Sequence, residues 1–208
     1  LATPAPNRRT AERMPRAALL CAAALCAWLL FYKLACFRGL AYTSDLFQFS
    51  QLATSWLRGQ FLTDNCYGDH LSVHTYLFCP LLALVVVPFG PAGLLLILGA
   101  ALAAMFLGVF KVVRLFDIPP TVALGWAAVM AIMPLSIQVY RDEIYGFHVE
   151  LLVPVIGIWL TYFLLRRNWP GALGMALLLI SIKEEEPLIA AVIALAVACE
   201  DLIRAAGA

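Results

Sequence analysis

Apolar runs close to the length of a bilayer span recur along the chain, and they constrain its fold more than any other feature. They cover residues 17–37, 71–89, 91–110, 120–140, 149–165, 171–182 and 187–203. A transmembrane helix needs about 20 mostly apolar residues. Hydrophobic residues make up 63% of the 208 residues and charged residues 13%, against about 45–50% and about 25% in soluble domains. The sequence therefore predicts an all-α, polytopic membrane protein.

Charge, cysteines and motifs exclude several other classes. The formal net charge is +1, which indicates no nucleic-acid partner. There are six cysteines and no CxxC pair, so we interpret the cysteines as small apolar residues of helices. The sequence has no GxGxxG, P-loop, GxSxG or HExxH motif.

The N-terminal residues differ in composition from the rest. Residues 1–16 are rich in Pro, Arg and Thr and predict a disordered cytoplasmic tail. The following apolar run, 17–37, exceeds the about 7–15 residues of a signal-peptide core. We therefore expect an uncleaved first span that opens a single transmembrane domain over residues 17–208.

Basic residues predict how the chain crosses the membrane, because they favour the cytoplasmic side. They cluster at Arg8, Arg9, Arg13 and Arg16, at Lys111 and Arg114, at Arg166 and Arg167, and at Arg204. All four clusters are cytoplasmic if six runs cross and 71–89 forms an interfacial or re-entrant element. If 71–89 did cross, the cluster after 91–110 would face outside.

The first outer loop is then long and contains a predicted amphipathic helix over 44–57. Its apolar face comprises Leu46, Phe49, Leu52, Ala53, Trp56 and Leu57. Ser44 is the expected N-cap, Asp45 suits the first turn, and Gly59 is the expected stop. Such a helix fits flat on a membrane surface. The prediction is thus about six spans plus surface-lying helices in this loop.

On this topology the remaining ionisable residues gather on the outer face. The segments are SDLFQFSQ (44–51), YGDH (67–70), RDEIYGFHVE (141–150) and KEEE (183–186). Lys183 ends a short span and should lie slightly below the surface, where Glu184 or a lipid phosphate would supply the anion it needs. Glu185 and Glu186 are expected to be solvated, and Arg141 to form a surface pair with Asp142 or Glu143.

The order of these pieces resembles a family of prokaryotic polytopic membrane proteins with a domain of unknown function. The resemblance covers about 17–204 and rests on SDLFQFSQ, GDH, FHVELLVP and KEE. In layout that family is similar to the GT-C glycosyltransferases, which implies a sugar transferase of the cytoplasmic membrane, with its N-terminus inside and a polyprenyl-phosphate sugar as donor. GT-C enzymes carry an acid after the first span, matched by Asp45, and often a polar group near the lipid phosphate, matched by Lys183.

Two departures from that pattern matter. Many GT-C enzymes pair two acids in this loop, whereas Leu46 follows Asp45 here. GT-C chains also have more spans, so the chain is expected to be the N-terminal part of a longer domain of that kind.

The resulting hypothesis is sugar transfer at the outer face among membrane lipids. The expected catalytic residues are Asp45, Lys183 and Glu184. The expected substrate-binding residues are Gln48, Asp69, His70, Arg141, His148 and Glu150. A divalent cation, Mg²⁺ or Mn²⁺, is a possible cofactor with Asp45, His70 and His148 as candidate ligands, although their spacing matches no metal signature. The rival hypotheses are a transporter or lipid-carrier flippase, and a non-catalytic scaffold; convergence of Asp45, His148 and Lys183 would favour the enzyme.

Overall fold

The computed structural model describes residues 14–141 and 144–206. Most of the predicted tail, residues 1–16, lies outside the described residues, and the first helix begins at Arg16.

Helices make up nearly all of the regular structure in the described residues, which confirms the all-α class. In chain order they are α1 (Arg16–Arg38), α2 (Ser44–Ser55), α3 (Cys79–Phe89), α4 (Ala92–Arg114), α5 (Pro120–Ile132), α6 (Pro134–Arg141), α7 (Val153–Leu165), α8 (Trp169–Ile180) and α9 (Glu186–Ala206). Short 3₁₀ turns cover Trp56–Arg58, His70–Ser72 and Val149–Leu152. A small antiparallel ribbon joins β1 (Thr63–Asp64) to β2 (Gly68–Asp69), with Thr63 opposite Asp69.

Among the described helices, α1 and α4 are long and apolar enough to cross a membrane. Each has 23 residues, or roughly 35 Å at 1.5 Å per residue. Helix α4 is central, because it packs against α1, α3, α5 and α7. Helices α3, α5, α7 and α8 have 11 to 13 residues, which is shorter than a full span. The six-crossing arrangement therefore stays a prediction.

The run 120–140, expected to be one helix, is divided into α5 and α6 by Pro134. Met133 has φ −56° and ψ 140°, the extended geometry that a following proline imposes on its neighbour. If the helix continued through Pro134, the proline ring would clash with the carbonyl group four residues earlier. The expectation of one continuous helix here was wrong, and the signal was present in the sequence.

The amphipathic helix of the first loop is largely as predicted. Four of the six apolar-face residues are buried: Leu46, Phe49, Leu52 and Ala53. Gly59 ends the segment in the left-handed conformation, at φ 73°. The N-cap is Thr43 rather than Ser44, and Ser55, expected off the buried face, is fully buried and accepts the Thr63 backbone N–H.

Helix α2 packs against α3, and α3 packs in turn against α4. Helix α3 is the apolar part of the run 71–89 and spans roughly 16 Å, so it is too short to cross alone. The preceding segment, 73–78, has no regular structure. It brings His74 to Glu184 and Tyr76 to Glu150.

Candidate functional site

Polar side chains from three separate segments meet in one group, which we call the polar cluster: Asp45, His148, Glu150 and Lys183. Asp45 comes from the first turn of α2, Glu150 from the 3₁₀ turn before α7, His148 from the N-cap position of that turn, and Lys183 from the turn before α9. Asp45 Oδ2 is 3.3 Å from His148 Nε2. His148 Nδ1 is 4.0 Å from Glu150 Oε2, and Glu150 Oε1 is 3.7 Å from Lys183 Nζ. The chain of contacts is thus continuous from Asp45 to Lys183.

His148 occupies the middle of the polar cluster. The rings of Phe49 and Tyr145 lie edge-on to it, with centroids 5.7 Å and 5.1 Å away. Its side chain is 31% exposed, so the imidazole is fixed on two sides and remains open on another.

Glu150 has one oxygen bonded and one without a hydrogen-bond partner. The Tyr76 hydroxyl donates to Oε1 at 2.7 Å, whereas Oε2 is buried and receives no hydrogen bond from the described residues. Burial first, and then the hydrogen bond to Glu150, raise the pKa of Tyr76, so the phenol stays a donor.

Lys183 has two carboxylate partners among the described residues, and Glu184, one of its two expected anions, is neither of them. Its Nζ lies 3.7 Å from Glu150 Oε1 and 3.6 Å from Glu185 Oε1. Glu184 instead contacts His74, with Oε1 2.8 Å from Nδ1, and accepts the Thr75 backbone N–H at 3.3 Å. The hydrogen bond with His74 is the main cause that lowers the pKa of Glu184 to about 2. Glu184 therefore links the KEEE turn to the first loop rather than balancing Lys183.

Glu186 is buried, so the expectation that it is solvated was wrong. Its residue exposure is 6%, and its Oε2 has no hydrogen-bond partner in the part of the chain that the structure describes. Burial first, and then the nearby charges of Glu150 and Glu185, raise its pKa. Of Glu185 and Glu186, only Glu185 is exposed as expected, with 73% of its side chain accessible.

A second polar group adjoins the first and consists of Gln48, Asp64 and His70. His70 Nδ1 lies 2.7 Å from Asp64 Oδ2, and Gln48 Nε2 donates to the same oxygen at 3.3 Å. Burial acts to raise the pKa of Asp64, but hydrogen bonds from the backbone N–H groups of Tyr67 and Cys66, and from His70 and Gln48, lower it overall. His70 stacks on Tyr76 at 5.2 Å, so Tyr76 joins this group to the polar cluster.

The described contacts of Asp69 and Arg141 lie outside both polar groups. Asp69 caps the 3₁₀ turn after β2, where Oδ1 accepts the Leu71 backbone N–H at 3.1 Å. The Arg141 guanidinium lies over the Tyr32 ring, 5.6 Å from its centroid. Asp142 and Glu143, its expected partners, lie outside the described residues.

Lys33 is a supporting residue that the sequence did not reveal. Its position near the outer end of the first span predicts a side chain that extends toward the lipid headgroups, but it is fully buried. Its Nζ donates to the Gly146 carbonyl at 3.1 Å and lies 5.4 Å from the centre of the Tyr42 ring. The Thr43 backbone N–H donates a hydrogen bond to the Ile144 carbonyl oxygen at 2.8 Å. These contacts hold the segment that leads to His148 against the start of α2.

The candidate metal ligands do not form a metal centre. The described residues contain no group of three or more His, Cys, Asp or Glu side chains arranged to hold an ion. Asp45 and His148 meet, but His70 pairs with Asp64. One carboxylate and one imidazole do not fit the oxygen-rich octahedron of Mg²⁺. No metal ion therefore takes part in the proposed reaction.

Sequence reasoning missed three contributors besides Lys33: Asp64, His74 and Tyr76. The signal for the last two was the polar stretch HTY at the start of an apolar run. Asp64 had no such signal, because its role depends on a ribbon of only two residues per strand.

Comparison with known proteins gives one match. The model of the family described as "Predicted membrane protein (DUF2079)" matches residues 40–205, most of the chain. No curated protein and no solved structure matches, so the likeness in layout to GT-C enzymes stays an expectation. The matched range includes α2 to α8, most of α9, and every residue of both polar groups. The chain therefore belongs to the DUF2079 family of predicted membrane proteins, whose function is unknown.

Proposed function

We propose that this protein transfers a sugar from a polyprenyl-phosphate donor to a hydroxyl acceptor at the outer face of the membrane. The observation that carries the proposal is the contact chain from Asp45 through His148 and Glu150 to Lys183. A scaffold that needs these residues only for solubility would have no reason to bring them together from three distant segments.

The polar cluster offers the two functions that such a transfer requires. Asp45 Oδ2 is the acceptor for the proton of the attacking hydroxyl, since a carboxylate base acts within hydrogen-bond reach. As the new bond to the sugar forms, the bond to the leaving phosphate breaks and its electron pair stays on the phosphate. Lys183 neutralises that developing charge.

Lys183 is available for this role despite its two carboxylate partners. Glu185 has 73% of its side chain exposed, and exposed ion pairs contribute about 0–1 kcal/mol. A lipid phosphate can therefore displace Glu185 from Lys183 at little cost, while Glu150 keeps Lys183 in place.

The donor's chain would lie in an apolar groove beside the polar cluster. A cavity of about 470 Å³ runs along α4, α7 and α8 and includes Phe78, Leu152 and Trp159. Phe78 is two residues from Tyr76, and Leu152 is two residues from Glu150. An isoprenoid chain in this groove would place its phosphate next to the charged side chains.

The proposed topology keeps the N-terminus cytoplasmic and has six crossings. It is supported by the basic residues, because Arg16, Lys111, Arg114 and the pair Arg166–Arg167 would share the cytoplasmic side. The polar cluster and the ribbon would then face outside, where polyprenyl-phosphate donors are used.

The test measures sugar transfer from polyprenyl-phosphate donors by the purified protein in liposomes. D45N and K183M should each lower turnover by about 100-fold or more, the range seen for lost acid–base groups. D117N and K111M are matched controls, because Asp117 lies in the loop between α4 and α5 and Lys111 of α4 lies over the Tyr162 ring, both on the cytoplasmic side of the proposed topology. Absence of transfer by the wild type, or turnover within twofold of it in both site variants, would refute the proposal.

A further inference from the structure

His148 lies between two carboxylates, and each of its ring nitrogens faces one of them. Nε2 is 3.3 Å from Asp45 Oδ2, and Nδ1 is 4.0 Å from Glu150 Oε2. An imidazole in this position can accept a proton at one nitrogen and release another from the opposite nitrogen.

Each carboxylate uses its other oxygen for a different contact. Asp45 Oδ1 accepts the Ser44 hydroxyl at 2.9 Å. Glu150 Oε1 accepts the Tyr76 hydroxyl at 2.7 Å and lies 3.7 Å from Lys183 Nζ. The oxygens that remain, Asp45 Oδ2 and Glu150 Oε2, are those that face His148. Glu150 Oε2 is buried and has no hydrogen-bond partner among the described residues, so it is free to accept a proton from the ring.

We propose that His148 is a proton relay that receives the proton from Asp45 and passes it to Glu150. The inference rests on the proposed function, since sugar transfer to a hydroxyl releases one proton for each new bond. It assigns to His148 and Glu150 a role beyond binding the sugar.

The steps balance as follows. The acceptor hydroxyl loses its proton to Asp45 Oδ2 while its oxygen bonds to the sugar and the phosphate leaves with the electron pair of the broken bond. Asp45 then gives that proton to Nε2, and the imidazolium loses the proton on Nδ1 to Glu150 Oε2. Asp45 is again a carboxylate, the proton rests on Glu150, and the ring proton of His148 is now on Nε2. Both side chains are partly exposed, so Glu150 loses the proton to water, and exchange of the ring proton from Nε2 to Nδ1 through water restores the starting state.

The second transfer requires His148 and Glu150 to approach by about 1 Å, because hydrogen bonds span about 2.7–3.2 Å. Their side chains are 31% and 30% exposed, and His148 is the N-cap of the 3₁₀ turn that contains Glu150, so the Glu150 side chain has room to approach the ring. Catalytic hydrogen bonds are often long without substrate and shorten in the complex. The rings of Phe49 and Tyr145 lie edge-on to the imidazole and limit its movement.

Three side chains lie near the carboxylate that ends the relay. Lys183 and Tyr76 both contact Glu150 Oε1, and Glu186 adds a negative charge near Glu150 when it is ionised. Lys183 would contact both Glu150 and the donor phosphate, so one side chain joins the end of the proton path to the leaving group.

The first test requires no activity and measures the tautomer of His148. The protein is labelled with ¹⁵N-histidine, and the His148 signals are assigned by their loss in H148Q. In E150Q the ring proton should reside on Nε2, facing Asp45; in D45N it should reside on Nδ1, facing Glu150. The same protonated nitrogen in both variants would overturn the relay.

The second test measures turnover in the transfer assay. H148Q should lower kcat about 100-fold with an unchanged KM, and added imidazole should restore part of the activity of H148A. K111M is the control, because Lys111 of α4 lies over the Tyr162 ring, on the cytoplasmic side of the proposed topology. A kcat of H148Q within twofold of the wild type would overturn the relay. Absence of transfer by the wild type combined with a tautomer switch would instead refute the proposed function and leave the proton path intact.

Discussion

Gly146 should be unusually sensitive to substitution, because it combines a left-handed backbone with a close aromatic neighbour. Its φ is 79°, and a Cβ built there would lie 2.8 Å from Cγ of Tyr42. The Tyr42 ring cannot easily retreat, since it is buried and its hydroxyl donates to the Lys33 carbonyl at 3.2 Å. G146A therefore tests whether this segment is fixed as tightly as its contacts indicate.

The expected loss is the sum of two effects. The left-handed conformation costs a non-glycine residue about 1–2 kcal/mol, and overpacking adds about 1–3 kcal/mol. We expect G146A to lower the free energy of unfolding by about 2–5 kcal/mol. Gly59 is the matched control: its φ is 73°, but a Cβ at this position would have no neighbour within 4 Å, so G59A should lose only about 1–2 kcal/mol.

The assay is reversible chemical unfolding of the purified protein in mixed micelles, with wild type, G59A and G146A compared under one condition. Transfer activity is measured in parallel, because a displaced Gly146 would shift His148 away from Asp45. Equal losses of stability in G146A and G59A would refute the tight contact with Tyr42.

Three further predictions concern the carboxylates and the first loop. The pKa of Glu184 is lowered to about 2, so its contact with Thr75 is complete above its ordinary pKa of 4.5 and is lost as the pH falls toward 2. Hydrogen exchange at the Thr75 amide should quicken over that range, beyond the intrinsic pH effect, and E184Q should lack this protection already at neutral pH; identical protection in both proteins would contradict the contact. Because burial raises the pKa of Glu186, its ionised form destabilises the fold at high pH. E186Q should therefore unfold at a higher temperature than the wild type at pH 8, with the difference shrinking as the pH approaches 4.5; a constant difference would contradict this sign. Trp56 has 45% exposure on the first loop, and if that loop lies on the bilayer, brominated lipids should quench W56F less than the wild type.

The helices of this chain could be predicted because apolar periodicity and length are local properties. The run from Ala17 to Phe37 became α1, and the face of Leu46 and Phe49 became the buried side of α2. The places where helices are interrupted were predicted less accurately. Pro134 divides one predicted helix. Its effect was visible in the sequence, but the hydropathy of the neighbouring residues outweighed it in the prediction.

Side-chain partners could not be predicted, because they depend on which loops meet. Asp45 and His148 were expected on one face, and the structure brings them into contact. The anion expected for Lys183 was its neighbour Glu184 or a lipid phosphate, whereas Glu150 reaches it from 33 positions away along the chain. Lys33 likewise bonds to a carbonyl 113 residues away, a distance at which sequence spacing carries no information.

An experimental structure of the protein with a polyprenyl-phosphate sugar bound would test the assignment of sugar transfer most directly. The phosphate should lie within about 4 Å of Lys183 Nζ, the distance of an ion pair. The anomeric carbon of the sugar should lie on the side of Asp45, and the lipid chain in the groove beside Phe78. A phosphate bound away from Lys183, with Asp45 remote from the sugar, would contradict the assignment of the polar cluster as a site of sugar transfer.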